Sequence, residues 1–386
     1  MKKVLAFVLA VVMVFALAAC GGSSTSAPAA TQAPAAAPAA EPAAAPAAEP
    51  AADAAAEPAA EPAAEPVDDT VYTLKFYHIF ADEASGGHES LWINKAIAEV
   101  EEKSGGRLKI DCVPAGVMGS EEELIPQVFA GTVDMSLSGP SVWGTVGSID
   151  AIGWSELPYV VDNYPQMNAL GEVLPDLTNK QLEEAGIGLY CLGAMSQGIR
   201  CLCTAEKFPV NTVDDCKGLR IRVPQSEVYM STVEGWGCAP TAMSSSQVIT
   251  GLANGTIEGF ESDPASILAR GQQEGFHWYI ETYHIASLNL LMINKANLEA
   301  LPADLQEILI SVFKEKCVEQ CYDREIVNGN LLEDIKAAGV EVVTPSAEAF
   351  EGFKNADTPY RDSKIAEWGV EDVFNEALEY VAANAK

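Results

Sequence analysis

Two arginines alternate with apolar residues in Lys217-Gly218-Leu219-Arg220-Ile221-Arg222-Val223-Pro224, a short run followed by Gly237-Cys238-Ala239-Pro240-Thr241. A two-residue period turns Leu219, Ile221 and Val223 toward a core and both guanidinium groups the other way. A guanidinium presents a planar fork of donors that matches a carboxylate, so the segment is a candidate site for an organic anion. Solvated salt bridges are the ordinary role of such a pair. The formal net charge of -32 argues for more: an anion site in so acidic a chain must be a local cluster of cations, and Lys217, Arg220, Arg222 and nearby Arg200 supply one.

Other chemistries find little support. So acidic a surface excludes nucleic acid as a partner. His78, His88, His277 and His284 pair with no nucleophile motif, and the chain has neither Gly-x-Ser-x-Gly nor a metal-type His-x3-His, so it reads as no enzyme. Cys201-x-Cys203 and Cys317-x3-Cys321 fit no zinc spacing well. With Cys112, Cys191, Cys216 and Cys238 they read as reduced, core-packed thiols, and neither a metal nor a cofactor is expected.

The N-terminus addresses the chain outward. Lys2 and Lys3 precede an apolar run, Val4 to Ala19, that ends in Leu17-Ala18-Ala19-Cys20. The run is short for a membrane span and has small residues before a cleavage point, as in an export signal. A cysteine at that point, followed by Gly21-Gly22-Ser23-Ser24, makes residues 1–20 look like a bacterial lipoprotein signal, with Cys20 lipidated and the chain anchored to the extracytoplasmic face of the cell membrane. Residues 21–69 are Ala, Pro and Glu with few others and no aromatic residue, a composition that cannot bury a core and reads as a disordered tether.

From about Thr70 to Lys386 the chain exceeds the size at which one core usually stops growing, which favours two lobes. The pattern is α/β. Val71–Tyr77, Leu108–Val113 and Val133–Leu137 read as strands, with helices over Ser90–Lys103 and Ser120–Ala130 between them, and a further helix and strand follow over Gln166–Leu192. Arg200–Thr204, Arg220–Val223, Ile257–Glu261 and Leu288–Ile293 are strand-like, Val228–Glu234 and Ser246–Asn254 helical. Pro302–Ala338 is helical almost without interruption, long enough to run across both lobes. Ligands of open α/β sheets sit beyond the carboxyl ends of strands, which nominates the loops His78–Phe80 and Ser138–Trp143. Trp143, Trp154, Tyr159 and Trp236 offer rings that could stack on a ligand, against core packing as the ordinary role.

Ser104-Gly105-Gly106-Arg107-Leu108-Lys109-Ile110, Pro114-Ala115-Gly116, Ala130-Gly131-Thr132-Val133-Asp134-Met135 and Leu157-Pro158-Tyr159 resemble the first lobe of the substrate-binding proteins of tripartite ATP-independent periplasmic (TRAP) transporters, the DctP family. The Lys217–Pro224 segment, Pro240-Thr241, Gly255-x2-Glu258-Gly259-x-Glu261, Asn294-Lys295 and Leu301-Pro302-x-Asp304-x-Gln306 continue the resemblance in order across nearly the whole domain. It implies a two-lobe periplasmic-binding-protein-like α/β fold with a central cleft, crossing segments and a long lobe-spanning helix. Residues 70–197 with 288–328 would form lobe I, and 198–287 with 329–386 lobe II. The function implied is capture of an organic acid and its delivery to the small and large integral membrane subunits of an ion-gradient-driven permease. A solute-binding lipoprotein serving an ATP-driven importer or a sensor kinase is the alternative. By the resemblance, Arg222 makes the two-pronged contact to the ligand carboxylate and Arg200 assists. Ser262 and Asp263 stand where the family commonly has Asn, and Tyr283-His284 falls near a lobe crossing as hinge packing. His78, Ser138 and Trp143 complete the expected ligand-binding set.

Overall fold

The computed structural model describes residues 69–386. The export signal, Cys20 and the Ala/Pro/Glu tether read from the sequence lie outside the described residues. The chain enters through β1 (Tyr72–Tyr77), α1 (His88–Lys103), β2 (Leu108–Val113), α2 (Glu121–Phe129), β3 (Met135–Ser138), α3 (Pro140–Gly147) and α4 (Tyr164–Glu184). The long strand β4 (Leu189–Thr204) follows, then β5 (Arg220–Val223), α5 (Glu227–Gly235), β6 (Ala239–Ala242), α6 (Val248–Asn254), β7 (Gly259–Ser262) and α7 (Pro264–Ala269). A second long strand, β8 (Trp278–Asn294), returns before α8 (Lys295–Glu299), α9 (Ala303–Ala337), β9 (Glu341–Val343), α10 (Ala347–Trp368) and α11 (Glu371–Asn384).

All nine strands join one sheet, ordered β2-β1-β3-β8-β4-β7-β5-β6, with β9 on β8. Its halves hang on different ends of one antiparallel pair: β3 bonds Leu290–Ile293 of β8, whereas β7 bonds Cys201–Thr204 of β4. The strands expected as separate pieces at Arg200–Thr204 and Leu288–Ile293 are thus the ends of two crossing strands.

Helix α9 spans the same two halves. Leu305, Leu309, Val312 and Phe313 on its first turns pack with Phe76, Leu108 and Met135, while Ile335 near its end packs with Val248, Ile257 and Phe260. At 1.5 Å per residue it is about 50 Å long. Its middle is polar and buried, fastened to β4: Gln320 Nε2 donates to the Ser196 carbonyl at 2.7 Å, its Oε1 accepts from Ser196 N–H at 2.7 Å, and Asn328 Nδ2 donates to the Gln197 carbonyl at 3.1 Å. A third cluster, with Leu170, Leu174 and Trp154, runs under α4 and reaches α10 and α11 through Phe353 and Ala377. No helix of the described residues is long and apolar enough to cross a membrane.

Candidate functional site

A cavity of about 590 Å³ opens where the crossing strands meet the two halves of the sheet. Arg222 comes from β5, which pairs with β6 on one side and β7 on the other, with Arg222 opposite both Thr241 and Phe260. Ile221 and Val223 are fully buried in the core, so the alternation read from the sequence is real for them. The two arginines part company. Arg220 is exposed, donates to the Thr256 and Gly255 carbonyls at 3.1 and 3.0 Å and pairs with Glu258 at 3.0 Å. Arg222 is buried in the cavity wall, and its one polar partner among the described residues is the Met243 carbonyl, to which Nε donates at 2.9 Å. Burial, with a smaller contribution from Arg200 and Arg270, pulls its pKa down to about 10.

Arg200 reaches the wall from β4 through a bulge. The pairing of β4 with β8 slips between Ser196 and Gly198, and this re-aims Gln197 and the residues that follow. Gly198 takes φ 123°, and a Cβ there would lie 2.3 Å from Asn328 Nδ2, so glycine is required both by conformation and by space. Arg200 is tied to Glu261 of β7 by side-chain and main-chain contacts, lies 3.9 Å from Asp263 Oδ2, and has its guanidinium carbon 5.1 Å from the centre of the Tyr229 ring.

Ser262 also lines the cavity; Asp263, Ser138, His78 and Trp143 do not. Asp263 caps α7, its Oδ1 accepting from Ser266 N–H at 2.8 Å. Ser138 stands one layer back and donates to Glu121 Oε1 at 2.5 Å, so the group that meets the cavity is Glu121. The His78 ring lies 5.2 Å from Phe76 and 5.9 Å from Phe80, where burial lowers its pKa to about 4, and its neighbours Ile79 and Phe80 form the wall instead. Trp143 turns into the core and donates from Nε1 to the Leu290 carbonyl at 3.2 Å, leaving Gly139 and Val142 at the surface of the cavity. The nominated loops therefore contribute, through other residues.

Several wall residues carry no sequence motif. Glu156 accepts from Ser141 N–H at 2.9 Å, Ser141 Oγ at 2.6 Å and Tyr229 OH at 2.7 Å, and burial raises its pKa, as it does that of Glu121. Asn289 of β8 is buried with its Nδ2 unpartnered among the described residues. Its signal was a lone amide within Leu288-Asn289-Leu290-Leu291. Arg270, just past α7, also faces the cavity and had no signal to separate it from a surface arginine. Tyr283-His284 packs beneath: His284 Nδ1 lies 2.9 Å from Thr282 Oγ1, and its ring lies 4.9 Å from that of Trp236. No group of three or more His, Cys, Asp or Glu side chains among the described residues is placed to hold a metal ion, and the cysteines at 112, 191, 201, 203, 216, 238, 317 and 321 are free thiols.

A buried arginine with open donors, in a cleft walled by two half-sheets that share crossing strands, defines a solute-binding protein. The family model for bacterial extracellular solute-binding proteins, family 7 (DctP), matches residues 85–367, and the chain belongs to that family. Its relatives are substrate-binding receptors of TRAP transporters and not enzymes. The 2,3-diketo-L-gulonate-binding periplasmic protein YiaO of Escherichia coli is 28% identical over 249 residues, which is 64% of this chain and 74% of that protein. A TRAP periplasmic solute-binding protein of Citrobacter koseri, solved with bound D-glucuronate, superposes with a TM-score of 0.68 at 26% identity, covering 81% of this chain and 99% of the other. One from Sulfitobacter sp. NAS-14.1, solved with bound β-D-galacturonate, gives 0.71 at 24% identity, covering 80% and 99%.

Proposed function

We propose that this protein is an extracytoplasmic receptor that closes its cleft on a hydroxylated organic acid and delivers it to the small and large membrane subunits of an ion-gradient-driven TRAP permease. The observation that carries this reading is Arg222, buried in the cavity wall with a single carbonyl as its polar partner among the described residues. A ligand carboxylate supplies the charge that the site lacks, in the bidentate geometry that a guanidinium favours. Glu121, Glu156, Gln197 and Asn289 around the same cavity offer acceptors and donors for hydroxyl groups. Relatives with bound D-glucuronate and β-D-galacturonate support an acid of the sugar-acid class. Arg200 and Ser262 act with Arg222, the first as a neighbour held by Glu261 and the second from β7, while Asp263 stays off the cavity as the cap of α7.

In this reading residues 70–197 with 288–328 form one closing lobe and 198–287 with 329–386 the other, with α11 resting on α4. Cys20 carries the lipid that holds the receptor at the membrane surface, and residues 21–69 are its tether. Thermal-shift screening of the purified chain against sugar acids, followed by calorimetry, tests the central claim. A ligand at about 100 times its dissociation constant adds about 2.7 kcal/mol of stability. Hits confined to neutral sugars or amines would sink it.

A further inference from the structure

The thiols of Cys216 and Cys238 share a hydrogen bond just ahead of the strand that carries Arg222. Cys216 ends the turn before β5, and Cys238 directly precedes β6. Main-chain bonds extend the β5–β6 ladder back to this pair. Ala239 N–H donates to the Leu219 carbonyl at 2.7 Å, and Gly218 N–H to the Gly237 carbonyl at 2.8 Å. Leu219 N–H closes on the Cys216 carbonyl at 3.1 Å, and Cys238 N–H on that of Val233 at 3.0 Å. Gly218 and Gly237, at φ 77° and 84°, give both connections the left-handed backbone they need. A Cβ on Gly237 would lie 3.7 Å from Lys217 Cα, so the two connections run against each other.

Other thiols turn to other partners. Cys112 lies 3.6 Å from His78 Nε2, while Cys191 donates to the Gly193 carbonyl and Cys321 to that of Ala194, each at 3.4 Å. Cys216 is fully buried, and Cys238 is 7% exposed. The bond to Cys238, then burial, raise the Cys216 pKa, which leaves Cys238 as the sulfur that an external disulfide meets first. Cys238 attacks one sulfur of that disulfide and releases the other as a thiol. Cys216 then displaces the mixed disulfide. The two protein thiols give up two protons and two electrons, and the oxidant leaves as two thiol groups.

We propose that Cys216 and Cys238 are a dithiol that an external disulfide oxidises to a cross-link, stapling the base of the Arg222 strand to that of β6. The loop so closed, about 23 residues, holds β5 and α5. An exported chain is in the surroundings where such bonds persist. The test unfolds the purified chain in urea with reductant, refolds it in a glutathione redox buffer, alkylates it and digests it with trypsin. The assay supplies the oxidant, so its outcome does not depend on where the chain resides. Cys216 and Cys238 are the single cysteines of tryptic peptides 208–217 and 223–270. These peptides should be recovered joined in most of the protein, with the cysteines at 112, 191, 201, 203, 317 and 321 alkylated. Reduction should lower the urea midpoint of the joined form by roughly 0.5 M or more. The double variant C216A/C238A should keep one midpoint with or without reductant. Peptides 208–217 and 223–270 recovered apart, or joined mainly to other cysteines, would overturn the inference, as would a wild-type midpoint that reduction leaves unchanged.

Discussion

Arg200 and Glu261 are locked to each other across neighbouring antiparallel strands. Arg200 Nη2 donates to Glu261 Oε1 at 2.9 Å and to its carbonyl at 2.8 Å, and Nε donates to Oε2. Burial alone would lower the arginine's pKa, but Glu261 raises it; burial alone would raise the glutamate's, but Arg200 holds it below the usual carboxylate range. The pair stays ionised, with His284 Nε2 3.5 Å from Oε2. Arg222, two strands from Arg200 in sheet order, has no carboxylate within ion-pair distance among the described residues. Arg200 is thus held in place by Glu261, whereas the Nη atoms of Arg222 have no hydrogen-bond partner among the described residues.

Arg222→Ala should weaken acid binding by about 2–5 kcal/mol, and Arg222→Lys should also fail because an ammonium lacks the planar fork. The fold should not suffer. Burial already opposes the Arg222 charge, pulling its pKa down to about 10, so its urea unfolding midpoint should stay at or above wild type. Calorimetry and urea titration separate the two effects; a variant that binds normally would remove Arg222 from the site.

Glu261→Gln leaves the Arg200 charge buried with half its partner gone. The expected loss is about 3–5 kcal/mol in urea unfolding. Adding Arg200→Met should recover much of it, since the stranded charge disappears with the arginine. A double variant no more stable than Glu261→Gln alone would mean that Glu261 supports the fold by another route.

Gly198→Ala should destabilise by at least about 1–3 kcal/mol, because the new Cβ meets Asn328 Nδ2 while the backbone stays at φ 123°. Asn328→Ala in the same chain relieves the contact but not the dihedral, so it should restore only part of the loss.

His78 supplies an acid-side instability. Its pKa falls from 6.5 to about 4 on folding, because burial disfavours the imidazolium. Between those values the unfolded chain binds more protons than the folded one, so stability decreases as pH drops below about 6.5 and levels off below about 4, by about 3 kcal/mol in total. His284 is lowered too, chiefly by burial, and adds in the same direction. Urea midpoints across this range should vary less in His78→Phe than in wild type. An unchanged slope would show that the ring titrates alike in both states.

Cys20→Ser should move the chain from the membrane fraction to the soluble one without changing acid affinity, since the cleft lies wholly within residues 79–289. Fractionation with calorimetry of the released protein checks both halves of the statement.

The sequence carried the strands β1, β2 and β5 and the long helix, because each rests on local periodicity; alternation put Arg220 and Arg222 on one face, and only the family resemblance told them apart. It did not carry the continuity of β4 and β8. Gly193, Gly198 and the polar residues at Ser196 and Gln197 interrupt the strand pattern at the bulges where the site is built. Trp143 and His78 were nominated by loop position, but which residue of a loop turns outward depends on packing: Leu290 accepts the indole N–H, and Phe76 and Phe80 flank the imidazole. Arg270 was invisible because its distinction is its place in the cavity wall, which only three-dimensional neighbours can reveal.

The crossing pair β4 and β8 also sets how the molecule can be cut. Leu189 pairs with Asn294 and Thr204 with Trp278, so every rung of this ladder closes a long loop of chain. Chains dominated by such distant pairings assemble slowly. A truncation ending before Trp278 would leave β4 without its antiparallel partner, a 16-residue open edge of the kind that recruits other chains. Neither half of this receptor can be produced as an independent module, and a nascent chain should need shielding from aggregation until β8 has been made.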